Sequence, residues 1–284
     1  MDTQRVDALL AWGVQRLAAG RPGEASAAGL DAELVLAYAL GTSRAWLRAH
    51  PEVHADPVQH ARYHEMLERR AAGEPVAYIL GEKEFWSLRL KVSPAVLIPR
   101  PETELLIERA LELHPAAHAR VLDLGTGSGA IALALARERP DWQLVATDLS
   151  AAALEVARAN AAALHLVRVA FLQGSWYGPV GKERFDLIVS NPPYIASADP
   201  ALLDPALRHE PRMALTPGAD AMFCLRAIIG AASEHLERDG WLLLEHGAGQ
   251  AQEVQRELVA HGLGHVRSHR DLAGHLRVSE ARRA

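Results

Sequence analysis

Only one cysteine, Cys224, occurs among 284 residues, which excludes an internal disulfide and any cysteine-rich zinc centre. Histidine is frequent, yet the full HExxH motif, two imidazoles one helical turn apart with a glutamate after the first, does not occur. No apolar run approaches the roughly 20 residues that a membrane-spanning helix needs. The opening Met1-Asp2-Thr3-Gln4-Arg5 leads into an amphipathic segment rather than an apolar signal region, so no secretory peptide is expected. Basic charge is also scarce. Thirty Lys and Arg against 35 Asp and Glu leave a formal charge of −5, which argues against bulk neutralisation of nucleic-acid phosphates. These absences lead us to expect a cytoplasmic, metal-free protein with no membrane attachment and no direct nucleic-acid partner.

What is present changes character along the chain. Residues 1–80 read as helices: Val6, Leu9, Leu10, Val14 and Leu17 recur at helical spacing, and Asp31 to Leu40 repeats the pattern with Gly41 as a stop. A third helical segment begins near Ser43. A fourth starts at Asp56-Pro57, a capping residue followed by proline at the first helical position, and ends at Gly73. Phe85 to Val92 alternates, with Leu88, Leu90 and Val92 on one face, as a strand or hairpin does; we assign residues 81–100 to a hairpin linker. Thr103 is expected to cap a helix from Glu104 to about Leu113. Arg100, Glu102 and Glu104, beside that helix start, read as solvated or capping charges rather than catalytic ones. From Arg120 strands alternate with helices, through Arg120–Leu124, Gln143–Thr147, Val167–Leu172, Phe185–Ser190 and Trp241–Glu245, and end in a hairpin near His265–His269 and His275–Ser279. That rhythm implies an α/β domain over residues 101–284, with a mostly parallel sheet covered on both faces.

Two of the strand ends carry chemistry. Gly125-Thr126-Gly127-Ser128-Gly129 joins the first of these strands to a helix; glycines there permit a tight turn and close backbone approach by a ligand. With Ala130 it matches G-x-G-x-x-A, so a dinucleotide fold competes. Asp148 ends the next strand about 20 residues later, placed either to accept from two ribose hydroxyls or to cap the following helix. Neither feature separates NAD from S-adenosyl-L-methionine. Asn191-Pro192-Pro193-Tyr194 does. Two prolines cannot donate backbone hydrogen bonds, and they stiffen a turn whose carbonyls face outward. With the Asn191 carbonyl and the Tyr194 ring, the turn becomes a set of acceptors beside a flat surface, suited to an NH2 group on an sp2 carbon. A methyl donor next to such acceptors favours amino-group methylation over hydride transfer.

The chain resembles the HemK/PrmC family, the protein-(glutamine-N5) methyltransferases of class I peptide chain release factors. The resemblance is carried by Gly81-Glu82-Lys83-Glu84-Phe85-Trp86, by Leu97-Ile98-Pro99-Arg100-Pro101-Glu102-Thr103-Glu104, and by Asp123 to Gly129. Ser190 to Ile195, Glu210-Pro211 and Leu243-Leu244-Glu245-His246-Gly247 extend it. It implies a small N-terminal helical domain joined by a β-hairpin to a Rossmann-like class I S-adenosyl-L-methionine-dependent methyltransferase domain. It also implies that Gly125, Thr126, Gly127, Ser128, Gly129, Asp148, Trp176 and Asn191 surround S-adenosyl-L-methionine, with the Trp176 indole against the adenine. Asn191, Pro192, Pro193 and Tyr194 would then hold the glutamine of a Gly-Gly-Gln loop, with Asn191, Pro192 and Tyr194 as the catalytic group. Glu82-Lys83-Glu84 stands where many relatives have an Arg-containing segment. Two alternatives remain at this point: an adenine-N6 methyltransferase on DNA or RNA, and a non-catalytic, translation-associated scaffold.

Overall fold

The computed structural model describes residues 4–20, 25–114 and 116–284; the first three residues of the polar start lie outside them. Two compact units divide the chain, Met1–Gly81 and Glu82–Ala284. Among the described residues no helix is long and apolar enough to cross a membrane.

In the first unit five helices follow one another: α1 (Val6–Gly20), α2 (Ala25–Leu40), α3 (Arg44–Ala49), α4 (Pro57–Ala71) and α5 (Val76–Leu80). Gly41, at φ +68°, ends α2 as expected of a left-handed stop. Asp56 accepts from the amides of Val58 and Gln59 while the Gln59 side chain returns to the Asp56 amide, a reciprocal box that fixes the start of α4. Val6, Leu9 and Leu17 are buried with Val35, Leu36, Leu47, Tyr63 and Leu67. Val14, expected on the same stripe, is 37% exposed, because the buried arc of α1 is narrower than its apolar arc.

In the second unit, β1 (Glu82–Phe85) and β2 (Leu88–Lys91) form the antiparallel hairpin. Its two turn residues, Trp86 and Ser87, both have positive φ. Such a turn ordinarily takes Asn and Gly. Here neighbouring carboxylates hold it: Glu104 accepts from the Trp86 amide, Glu84 from the Ser87 amide and Glu138 from the indole N–H. Then come α6 (Glu104–Leu113), β3 (Arg120–Leu124), α7 (Ala130–Glu138), β4 (Gln143–Asp148), α8 (Ala151–Ala163), β5 (Ala170–Gln173), β6 (Phe185–Ser190), α9 (Arg212–Leu215) and α10 (Phe223–His235). The chain finishes with β7 (Leu236–Glu245), α11 (Ala251–Ala260), β8 (Leu263–Arg270) and β9 (Leu276–Arg283).

Seven strands form one sheet in the order β5-β4-β3-β6-β7-β9-β8. The first five run parallel; β9 is antiparallel to both β7 and β8. Successive strand residues point to opposite faces, and two separate cores result. Val121, Leu187, Val189 and Leu243 join the core containing α6 and α7, whereas Leu122, Leu124, Ile188, Leu242 and Leu244 join the one containing α10 and α11. Burial on both sides is why these strands read as continuous apolar runs rather than alternating ones.

The chain leaves β3 in one direction, through β4 to β5, and returns on its other side as β6. Such a reversal opens a crevice beyond the carboxyl ends of the two central strands. Leu124 is paired with both Thr147 and Ser190, so the loops that follow β3, β4 and β6 emerge side by side. Asn160 on α8 braces this end. Its side chain bonds both backbone groups of Lys91 and the carbonyl of Ser128, tying the hairpin to the glycine loop.

Candidate active site

A cavity of about 330 Å³ occupies this crevice. Volumes from about 300 Å³ upward suit small-molecule ligands. Gly125, Thr126, Gly127 and Ser128 form one wall, and Asp148 with Trp176 forms another. Asn191 and Pro193 close the side toward β6, and Thr103 lies among the lining residues. Three residues expected at the site are not in its wall. Gly129 turns away into packing against Leu133 and Ala157. Pro192 is buried. Tyr194 packs against the α10–α11 core and spends its hydroxyl on Glu245, 3.0 Å away.

The glycine loop is held from two sides. Asp148 accepts from the Gly127 amide at 2.8 Å with one carboxylate oxygen and from the Ser150 amide at 2.8 Å with the other. The cap of α8 is therefore Ser150, whose hydroxyl accepts from the Ala153 amide; Asp148 stands two residues earlier and lines the cavity. Burial holds its carboxyl above the ordinary carboxylate range. Beneath the loop Asp123 is wholly buried, with one oxygen accepting from Thr126 and the Ala132 amide and the other, Oδ1, without a partner. Desolvation pushes its pKa up to about 7. An unpaired buried carboxylate is costly, and taking up a proton relieves that cost.

Trp176 lies opposite. A Cβ placed on Gly125 would meet the Trp176 ring at 3.5 Å, so the indole lies over the start of the glycine loop and lines the cavity. The residue has φ +45°, a left-handed conformation that costs a bulky residue about 1–2 kcal/mol. The Thr147 hydroxyl, donating to its carbonyl at 3.1 Å, helps hold it there.

Thr103 does something other than expected. Its backbone closes a short 3-10 turn, Pro101–Thr103, with φ −69° and ψ −19°, so the hydroxyl makes no capping bond to α6. A side-chain cap needs an extended backbone at that position. Instead Thr103 Oγ1 donates to Glu245 Oε2 at 2.6 Å and accepts from Asn191 Nδ2 at 3.1 Å. Glu245, at the end of β7, is wholly buried, and burial pushes its pKa up to about 7. With one Nδ2 hydrogen committed to Thr103, the Asn191 side chain is oriented with its Oδ1 turned away from Thr103. The wall next to Asn191 is fixed by a second buried acid: Glu210 accepts from the Ile98 amide at 3.0 Å and pairs with Arg100, so Pro99 and Pro211 stand together in the lining. Arg100 is thus paired rather than solvated.

Two family models match the chain: the PrmC N-terminal domain over residues 8–81 and the methyltransferase small domain over residues 101–259. A release factor glutamine methyltransferase of Xylella fastidiosa (strain Temecula1) is 49% identical over 254 residues, covering 89% of this chain and 92% of the relative. One from Shewanella oneidensis is 44% identical, covering 95% and 93%. The chain belongs to the release factor glutamine methyltransferase family. Its sheet has the class I methyltransferase architecture. A methyltransferase from Pyrococcus furiosus superposes with a TM-score of 0.53 at 19% identity, over 69% of this chain and 88% of its own. The catalytic domain of human Mettl16, solved with an RNA hairpin, gives 0.58 at 17% identity over 78% and 82%; both are likenesses of fold.

Within this methyltransferase, sequence reasoning located the glycine loop, Asp148, Trp176 and Asn191, which the structure gathers around one cavity. Thr103 it misread, and Glu245 and Glu210 it left without a role. A usable signal existed for Glu245: an acid ending the apolar run Trp241 to Leu244 repeats the pattern of Asp148 at the end of β4. Met213, Phe223 and Cys224, also in the lining, carry no sequence signal of this kind.

Proposed function

We propose that this methyltransferase transfers a methyl group from S-adenosyl-L-methionine to the side-chain amide nitrogen of the glutamine in the Gly-Gly-Gln motif of class I release factors. The reading is carried by one juxtaposition: the acceptor Oδ1 of Asn191 shares a cavity with the glycine loop, Asp148 and Trp176. The residues present fit the cofactor. Asp148 offers a carboxylate for ribose hydroxyls, and the Trp176 ring, which lines the cavity, offers a face for a flat base. Bound there, S-adenosyl-L-methionine supplies a methyl group activated by a neighbouring sulfonium.

A carboxamide nitrogen is a weak nucleophile, because its lone pair is delocalised into the carbonyl. Asn191 Oδ1 accepts one of the N–H groups and, fixed by the rigid turn that follows it, orients the lone pair toward the methyl carbon; Pro192 is buried and stiffens that turn rather than lining the cavity. With the cofactor bound, the nitrogen would attack the methyl carbon in line, the new N–C bond forming as the methyl–sulfur bond breaks and the thioether leaves with the electron pair. Proximity and orientation account for several kcal/mol in such displacements. Fixed acceptors also stabilise the positive charge that grows on nitrogen. The extra proton leaves after transfer, when the nitrogen has become strongly acidic, so no side chain need act as a general base. Tyr194 supports the turn from behind, through its packing and its bond to Glu245.

The helical unit is proposed to dock the release factor outside the Gly-Gly-Gln loop. An adenine amino group has the same planar geometry. However, no Lys or Arg stands among the cavity-lining residues, and the rim carries Met213 and Phe223, 50% and 60% exposed. A strand of nucleic acid would call for cationic walls; an apolar rim suits a protein loop. The test is transfer of labelled methyl to a release factor. We expect labelling of the Gly-Gly-Gln protein and none when that glutamine is alanine; equal labelling of both would refute the site assignment.

A further inference from the structure

A buried chain of hydrogen bonds runs behind the wall of the cavity, from Glu245 through Thr103 to Asn191. Its members come from three distant parts of the sequence, 142 and 88 residues apart. We propose that Glu245 and Thr103 are positioning residues for amide methylation, which set the polarity of the Asn191 side chain so that Oδ1, and not Nδ2, is presented to the substrate. This inference rests on the reading of Asn191 as the acceptor for the glutamine N–H.

The direction of the chain follows from donor counting. An ionised carboxylate has only acceptors, so Thr103 must spend its one hydroxyl proton on Glu245 Oε2. Thr103 Oγ1 then has lone pairs alone to turn toward Asn191, and the group that satisfies them is the Nδ2 amide. Asn191 cannot rotate by half a turn without setting its carbonyl against those lone pairs. Glu245 Oε1 likewise accepts from Tyr194, so a single carboxylate governs both side chains of the turn that flank the prolines. In a bond network this buried, each member constrains the next.

The same counting shows what protonation does. A neutral Glu245 carries a proton on one oxygen, and that oxygen stops accepting from either Thr103 or Tyr194. If Thr103 loses its acceptor, its hydroxyl is free to rotate and donate to Asn191 Oδ1, the atom the substrate needs. The charged and titratable groups around Glu245 are Tyr194, Arg277 and Glu102, with His246 next in the chain. The Tyr194 hydroxyl bond and Arg277 favour the ionised carboxylate, against burial and Glu102.

The experiment uses the full-length protein in four forms: wild type, Thr103→Val, Thr103→Ser and Glu245→Gln. Steady-state methylation of a release factor is measured from about pH 6 to about pH 8, roughly one unit either side of the pKa near 7. Thr103→Val keeps the shape but removes the hydroxyl, and kcat should fall by about 10- to 100-fold with the KM for S-adenosyl-L-methionine nearly unchanged. Thr103→Ser, which restores the hydroxyl, should return most of that loss. Glu245→Gln can still accept from one neighbour but cannot titrate, so the acid limb of kcat seen in wild type should disappear. A structural role alone would move stability and leave the shape of that pH profile intact.

A second readout needs no substrate. In wild type the Asn191 side-chain amide protons are held by Thr103, so one of them should exchange slowly with solvent; in Thr103→Val both should exchange fast. Unchanged exchange, or a Thr103→Val enzyme within about twofold of wild-type kcat, overturns the relay. If wild type fails to methylate the glutamine at all, the functional reading falls, and the exchange measurement still decides the relay. If Thr103→Val does not fold, loss of the pH limb in Glu245→Gln or its persistence decides it instead.

Discussion

Gly127 and Gly129 are two residues apart in the same loop, both with positive φ, yet alanine should do different things at each. At Gly127, φ is +56° and an added Cβ would meet nothing within 4 Å. The cost to folding is then that of a left-handed alanine alone, about 1–2 kcal/mol. At Gly129, φ is +83° and the Cβ would lie 3.0 Å from Leu133 Cδ1 and 3.3 Å from Ala157 Cβ. Overpacking of that kind adds about 1–3 kcal/mol, so the total is about 2–5 kcal/mol. Binding should reverse the order. Gly127 lines the cavity and Gly129 does not. The methyl group of Gly127→Ala occupies space where a ligand approaches the backbone, and affinity for S-adenosyl-L-methionine should fall at least about tenfold, or 1.4 kcal/mol. Gly129→Ala, once folded, should bind within about threefold of wild type. Chemical denaturation gives the first pair of numbers and titration calorimetry the second. Equal stability losses would refute the packing account. A Gly127→Ala protein with wild-type affinity would show that the cofactor does not lie on this loop.

Further outcomes follow from the same geometry. Asn191→Ala should lower kcat for the release factor by about 10²-fold while cofactor affinity largely survives; a variant with full turnover would contradict the acceptor role. Trp176→Ala should weaken cofactor binding by about tenfold and Trp176→Phe by less, as an aromatic face in the cavity wall requires; calorimetry distinguishes them. Asp123 has a folded-state pKa raised from 3.8 to about 7. The folded protein therefore holds a proton that the unfolded chain releases, and this favours folding below pH about 4 and is lost as pH rises through about 7. Asp123→Asn should be the more stable protein at pH 8, by a few kcal/mol, with a shallower pH slope; denaturation at pH 5 and pH 8 checks it, and an unchanged slope would contradict the assignment. Removal of residues 1–81 should raise the KM for the release factor and leave that for the cofactor unchanged. An unchanged release-factor KM would remove the docking role.

Much of the fold could be read from local signals. The cap at Asp56 followed by Pro57, the stop at Gly41 and the strand–helix alternation after Arg120 all reside in a few adjacent residues. Where the local signal is polar, the reading shortened the element. β7 begins at Leu236, five residues before Trp241, because Glu237, Arg238 and Asp239 are exposed and only Leu236 pairs with Phe185 ahead of a register shift. The site divides in the same way. Glycines, prolines and the acid at the end of β4 announce themselves by type and position. Glu245 shares that strand-end position, but its role, like those of Thr103 and Glu210, depends on a partner far away in sequence: Ile98 bonds Glu210 across 112 residues and Thr103 bonds Glu245 across 142. Thr103 was misleading for a specific reason: a threonine before a helix has the composition of a cap, and only its helical backbone angles reveal that its hydroxyl points elsewhere. Tyr194 sits in the right motif, but burial of its hydroxyl against Glu245, which raises its pKa, makes it part of the support for the turn rather than of the cavity surface.

The most direct test of the central claim is residue-level mass spectrometry of a class I release factor incubated with the protein and isotopically labelled S-adenosyl-L-methionine. One methyl group on the side-chain amide of the Gly-Gly-Gln glutamine, absent with Asn191→Ala, is the predicted result. A methyl group on any other residue, or unmodified release factor alongside labelled adenine in nucleic acid, would contradict it.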